Sequence, residues 1–336
     1  MQFCTLFNEN YLANGIALYN SLLKHSKNDF HLYVLAMDDI TYEILSNQKN
    51  SKMTCISLSQ FEDTELLSIK TNRTFGEYCW TCTPSLIRYC LDEFKLASCI
   101  YLDADLYFFD DPAIGWNEIP DKCSVLITEH NYHPKHDNRF MNGFYCVQYV
   151  GFKNNEDGNI VLNWWRESCL NWCFARIEDN KFGDQKYLDD WLVKFKGVWV
   201  VKNKGVGVAP WNIELYEVKK EDEGLHVIDK VTKEKYPIIF YHFHGFKVFK
   251  KKIRLTEHVY IIDDSDLKYI YQPYIDEVLQ HVNGKSLSEL SKKYFLKMYK
   301  KIFFEKVVEF SKLFYEKKSN PFNNIVDYKI NSIKYD

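Results

Sequence analysis

The chain has 336 residues, 46% hydrophobic and 17% aromatic, which is enough apolar surface for a sizeable core and excludes a disordered protein. Its formal net charge of −3 lacks the basic excess of a nucleic-acid-binding protein. The charge is uneven: between Lys285 and Lys318 ten lysines stand against four glutamates, so the rest of the chain is clearly acidic.

The first residues carry no basic stretch of a secretory signal, and no run reaches the ~18 apolar residues of a spanning helix. Ten cysteines without a disulfide rhythm read as reduced, buried, small hydrophobes. A cytoplasmic protein is therefore expected. Cys79-Trp80-Thr81-Cys82 has zinc-like spacing, but no second pair follows it.

In chain order, Phe3 to Phe7 reads as a short buried strand, and Tyr11 to His25 has the apolar spacing of a helix. Phe30 to Met37 and Met53 to Leu58 read as strands around a short helix, Tyr42 to Gln48. Thr83-Pro84 looks like a helix start, with the helix running to about Phe94. Ser98 to Leu102 is a fourth strand. Cys123 to Thr128 and Tyr145 to Phe152 are strands joined by a polar loop, Glu129 to Asn142. Ile160 to Phe174 and Asp184 to Phe195 read as helices, Val198 to Val201 and Ile238 to His242 as short strands. Lys219 to Lys235 is a charged loop or peripheral hairpin. Alternating strands and helices imply a mostly parallel sheet with helices on both faces, with ligands at the carboxyl ends of its strands. Beyond a soft boundary near 280, residues 281–336 read as a basic amphipathic helical tail. Its 285–318 stretch is suited to an anionic membrane surface.

The sharpest chemical feature is Tyr101-Leu102-Asp103-Ala104-Asp105-Leu106, two carboxylates one residue apart after an apolar strand. A hard divalent cation takes oxygen ligands from one or two carboxylates together with phosphates. Asn8-Glu9-Asn10-Tyr11 follows the first strand; Asn10 offers an amide to a base edge and Tyr11 a ring to its face, or the pair is a helix cap and a core aromatic. Gly183-Asp184-Gln185 opens a helix and offers side chains to sugar hydroxyls, or caps that helix. Tyr241-His242-Phe243-His244-Gly245-Phe246-Lys247 combines two imidazoles, a glycine that permits close approach and a lysine within a few residues. Trp211 is a candidate floor for a sugar or a core residue.

Taken in order, the segments N-x-N-Y, Y-L-D-A-D, G-D-Q and H-F-x-G resemble the family 8 glycosyltransferases and their nucleotide-diphospho-sugar transferase relatives, over roughly residues 1 to 250. The resemblance implies a GT-A fold: a Rossmann-like, mostly parallel sheet flanked by helices, here with a C-terminal helical extension. It also implies a UDP-sugar donor, Mn²⁺ or Mg²⁺, and transfer to a hydroxyl of a glycan or lipid-linked glycan, with retention of configuration. Carried over by position, Asp103, Asp105 and His242 are the metal ligands, with Ala104 between the carboxylates. Asn10 and Tyr11 hold the uracil, beside Asn8, which stands where the family has Asp. Arg88 contacts the donor, Asp184 and Gln185 face its sugar, and Lys247 touches the diphosphate beside His244 and Gly245. The chain departs from the family in two further places. Asn142-Gly143-Phe144 replaces an Asn-Ala-Gly strand. Lys247 lies five residues after His242 and three after His244, which leaves either histidine open as the ligand. An inverting reaction would need a carboxylate base, for which Glu129 is the candidate. A non-catalytic sugar-binding relative is the remaining alternative.

Overall fold

The computed structural model describes residues 1–48, 50–249, 252–258, 260–282 and 325–327. Its centre is a seven-stranded sheet of β1 (Gln2–Phe7), β2 (His31–Ala36), β3 (Met53–Ser57), β4 (Ser98–Leu102), β6 (Val125–Glu129), β7 (Tyr145–Lys153) and β8 (Val198–Val200). They run in the order β3-β2-β1-β4-β7-β6-β8. Only β7 runs against its neighbours.

β1 is buried from Phe3 to Phe7 because helices cover both faces, so its sequence is an apolar run rather than an alternation. The period of two still sorts its side chains. Cys4 and Leu6 join the core under the helices Phe75–Glu93 and Glu156–Asn171. Phe3 and Phe7 join the core under the helix Leu12–His25. That helix lies very close to β1: a Cβ on Gly15 would fall 2.3 Å from the Phe7 ring, so only glycine fits. This is the mostly parallel α/β sheet between helical layers expected of the GT-A type.

A second, three-stranded sheet carries the chain back to the carboxyl ends of these strands. In it β13 (Phe240–His242) lies between β5 (Leu106–Phe108) and β9 (Val206–Val208). The antiparallel register sets His242 opposite Leu106, one residue from Asp105. The charged region after Trp211 forms an antiparallel meander of β10 (Tyr216–Glu221), β11 (Gly224–Asp229) and β12 (Lys235–Pro237), the hairpin alternative. β14 (Lys247–Phe249) pairs with β15 (Lys252–Arg254), and the latter with β16 (Ile325–Asp327). The helix Gln272–Val282 packs on the helix Leu12–His25, where Asn20 donates to Glu277 at 2.7 Å. Other residues of the expected tail, including 285–318, lie outside the described residues. Among the described residues no helix is long and apolar enough to cross a membrane.

Two sequence expectations are corrected. The helix does not start at Thr83-Pro84. It starts at Phe75, where Thr74 and Glu77 form a capping box, and Pro84 lies inside it. Proline removes one intrahelical bond, the one to the Trp80 carbonyl, and the burial of Thr81 to Ile87 against the sheet outweighs that loss. The segment after Gly183-Asp184-Gln185 is not one helix. It is a 3-10 turn, Lys186–Asp190, running into one α turn, Trp191–Lys194.

Candidate active site

The site is built at the carboxyl pole of the sheet. β4 ends at Leu102, and the Asp103 N–H donates to the Gln148 carbonyl of β7 at 3.0 Å, which fixes where the strand ends. The chain then turns through Ala104 and Asp105 into β5. From the facing strand, His242 Nε2 lies 3.1 Å from Asp105 Oδ1 and 3.8 Å from Asp103 Oδ2. The ligand atoms of Asp105, His242 and His244 lie within 4.8 Å of one another. Both histidines are therefore at the cluster. His242 is buried and in contact with the two carboxylates, whereas His244 is half-buried beside it.

Gln148 orients His242. Its Oε1 accepts from the imidazole Nδ1 at 2.8 Å, while its own amide lies 3.4 Å from the Thr128 hydroxyl. That bond puts the ring proton on Nδ1 and turns Nε2 to the carboxylates. Trp211 packs edge-on against both His242 and His244, and its indole N–H donates to the His130 carbonyl. The indole is buried, so it is a wall of the cluster rather than an open sugar floor.

Asp184 reaches the same place from the far side. The Trp165 indole N–H donates to the Asp184 carbonyl at 2.8 Å, and Trp165 packs edge-on against Trp191 in the core. The carboxyl is buried, meets the Thr83 hydroxyl and feels the charge of Asp103. Burial, with Asp103 adding to it, raises Asp184 to about 8. Burial likewise raises Asp103 to about 6, against the pull of His242 and with the push of Asp105. Burial acts on Asp105 too, but contact with His242 outweighs it and leaves that carboxyl below its ordinary value. His242 responds in kind: burial lowers it, and Asp105 more than reverses this, so it is held well above its usual range. Buried Asp105 and half-buried Asp103 thus crowd one imidazolium, with the Asp184 carboxyl, held in its neutral form by burial, beside Asp103. Oxygen donors with a neutral imidazole suit Mn²⁺ or Mg²⁺, so the residues present fit a divalent cation.

Around this cluster, Asn8 caps the turn Glu9–Tyr11 through its own side chain, and Asn10 is exposed. Tyr11 is half-buried and feels the charges of Asp105, Glu257 and Asp103, which places it beside the carboxylates. Gln185 is half-buried, and its amide makes no hydrogen bond among the described residues. Gly245 has φ +76°, and a Cβ there would collide with Glu257, so the turn after His244 needs glycine. Lys247 is exposed, 4.0 Å from Glu257.

Two candidates are held elsewhere. Arg88 pairs with Asp92 at 2.5 Å and donates to Asn159. Asn159 lies in the first turn of the helix that follows β7, next to where β4 begins, so Arg88 faces the opposite pole. Glu129 is on the correct pole but is bound by Lys204 at 2.8 Å. The sequence reading passed over Gln148, Thr83 and Arg254. Gln148 carried a signal: a polar residue within a run of apolar strand residues. Arg254, which donates to the Gly245 carbonyl and pairs with Glu257, carried none.

Two Bacillus subtilis proteins, both described only as uncharacterized, are similar to the chain. YfnD is 35% identical over 282 residues, covering 81% of this chain and 87% of that protein. YfnF is 29% identical over 288 residues, covering 83% and 92%. No family model matches the chain. Among solved structures, it is similar to the galactosyltransferase LgtC bound to donor and acceptor sugar analogues, with a TM-score of 0.49 and 12% identity over 83% of this chain and 96% of that one. It is also similar to mouse xyloside xylosyltransferase 1 in its apo form, with a TM-score of 0.45 and 11% identity over 72% and 97%.

Proposed function

The chain belongs to the same family as YfnD of Bacillus subtilis, and from there we propose that it is a metal-dependent glycosyltransferase. It moves a hexose or N-acetylhexosamine from a UDP-sugar to a hydroxyl of a glycan or lipid-linked glycan, with retention. The observation that carries this reading is the convergence of Asp103 and Asp105 with His242, from a strand far along the chain, in a largely buried cluster where two carboxylates face one imidazole.

Asp103, Asp105 and His242 would hold Mn²⁺ or Mg²⁺, with His244 beside them. When bound, the ion neutralises the charge that develops on the departing diphosphate. Gln148 holds the His242 ring in one orientation throughout. Asn10 would offer an exposed amide to the uracil edge, and Tyr11, which feels the charges of Asp105 and Asp103, a ring to its face. Lys247 and Arg254, both beside Glu257, would supply positive charge to the diphosphate. Asp184 is fixed by the Trp165 bond to its backbone, and it and the amide of Gln185 would hold donor-sugar hydroxyls. A retaining transfer needs no protein base, since the leaving phosphate takes the acceptor proton. The engagement of Glu129 by Lys204 favours this over inversion.

The test is a thermal-shift panel of UDP-, GDP-, CMP- and dTDP-sugars, each with Mn²⁺ and with EDTA. Stabilisation follows RT ln(1 + [L]/Kd), so a true donor well above its Kd raises Tm. The expected result is a Mn²⁺-dependent shift with one UDP-sugar, lost in Asp103→Ala. A folded protein that responds to no nucleotide sugar would overturn the proposal.

A further inference from the structure

A second group of potential ligands stands behind Trp211, outside the cluster described above. His133 caps, and His136 ends, a 3-10 turn, Pro134–His136, in the loop between β6 and β7. Glu214 sits in another 3-10 turn, Ile213–Leu215, which follows Trp211. His136 Nε2 lies 2.5 Å from Glu214 Oε1, and one ligand atom from each of the three residues lies within 4.8 Å of the others. The His133 Nδ1 accepts the Lys135 N–H at 3.2 Å, which leaves its Nε2 open. The Glu214 side chain is only 9% exposed and that of His136 18%.

We propose that His133, His136 and Glu214 form a zinc site that clips the β6–β7 loop to the turn behind Trp211. Two imidazoles and one carboxylate are a ligand set Zn²⁺ takes, with water in the fourth position. Zinc–nitrogen and zinc–oxygen bonds of about 2.0–2.2 Å need ligand atoms roughly 3.3–3.5 Å apart in a tetrahedron. The Nε2 of His136 and the Glu214 oxygen must therefore separate slightly and the open His133 nitrogen close in, a side-chain adjustment of about an ångström. The surroundings give the carboxylate a fixed posture: Glu214 also accepts the Ile261 N–H at 3.2 Å. Two cations are near: Lys135, with Nζ 3.9 Å from the Glu214 carboxylate and its side chain 69% exposed, free to swing away, and Lys230, whose Nζ is engaged by the Glu214 backbone carbonyl at 3.0 Å. The clip bears on the transfer site through the backbone, because the His133 N–H donates to the Trp211 carbonyl at 3.0 Å and Trp211 walls His242 and His244.

The site shares no ligand with the cluster of Asp103, Asp105 and His242, and the experiment keeps the two apart. Full-length protein stripped with chelator is titrated with Zn²⁺ in competition with a chromophoric chelator, as wild type, as Asp105→Ala, and as Asp105→Ala with His133→Ala. The same three proteins are measured for zinc content after purification. The expected result is one tightly held zinc in Asp105→Ala, with affinity reduced at least tenfold when His133→Ala is added. Glu214→Gln in the Asp105→Ala background should give the same loss, and far-UV circular dichroism checks that each variant is folded. No tight zinc in folded Asp105→Ala, or tight zinc that survives both His133→Ala and Glu214→Gln, overturns the site and leaves the three residues as an ion pair.

Discussion

Two regions of the molecule gather acidic residues, and they do so in opposite ways. In the groove between the helices Thr64–Lys70, Phe75–Glu93 and Glu156–Asn171, four acids meet bases. Arg166 binds Asp63 and Glu65, Arg88 binds Asp92, and Lys70 binds Glu62. At the carboxyl pole of the sheet, Asp103, Asp105 and Asp184 are drawn together with His242 as the contacting base. A paired set is complete within the protein. A crowded like-charged set instead favours a bound cation, because burial penalises each uncompensated charge and each neighbour adds to the penalty. The groove encloses a cavity of about 510 Å³, yet the charges that lack balance are those of the smaller cluster.

The sharpest way to break this contrast is to remove a carboxylate from each region. Asp105→Ala should lower Mn²⁺-dependent UDP release from the UDP-sugar by about 100-fold or more, the scale of losing one electrostatic stabiliser. Activity within a few-fold of wild type would mean that the cluster is structural. Next in size is Gln148→Leu, which leaves the inner nitrogen of His242 unpaired. Loss of such an orienting partner weakens metal binding by about 10–100-fold. A Mn²⁺ titration of activity should show the rise in half-saturation, with partial recovery in Gln148→Glu, which keeps the acceptor. An unchanged half-saturation in Gln148→Leu would remove Gln148 from the site.

The third prediction concerns pH in metal-free protein. The Asp184 carboxyl is raised from an ordinary 3.8 to about 8. The folded state therefore binds a proton that the unfolded state has released across that window, and this contribution to stability is full below about 4 and lost as pH rises through about 8. Asp184→Asn cannot lose it. Denaturation in EDTA at pH 5 and pH 8 should show wild type weakening more over that interval than the variant, and parallel losses would count against the burial argument. The smallest effect belongs to the groove. Arg88→Ala should leave activity within about twofold and cost no more than about 1 kcal/mol, since its partner Asp92 is largely exposed. A large loss of donor binding in Arg88→Ala would restore it to the site.

The comparison also explains why Arg88 was misplaced by sequence. In a helix of 3.6 residues per turn, five positions separate two side chains by about 140° around and about 7.5 Å along the axis. Thr83 faces Asp184, so Arg88, five residues on, is carried to the far pole. Knowing that a helix precedes the DxD strand does not say which of its faces meets the site.

By itself, the sequence determined the alternation of strands and helices, the strand that delivers Asp103 and Asp105, and the residue types of a cation site. Those features are local, since strand propensity, apolar runs and a turn after Leu102 are written in neighbouring residues. Only the tertiary structure decided that His242 is the histidine in contact with both carboxylates, that Gln148 orients it, and that Glu129 is tied to Lys204. It also decided that Trp211 is a buried wall and that His133, His136 and Glu214 meet. These depend on antiparallel register and on side chains alternating from one face of a strand to the other, where a shift of one residue would turn His242 away from the carboxylates and a shift of two would put a neighbour in its place.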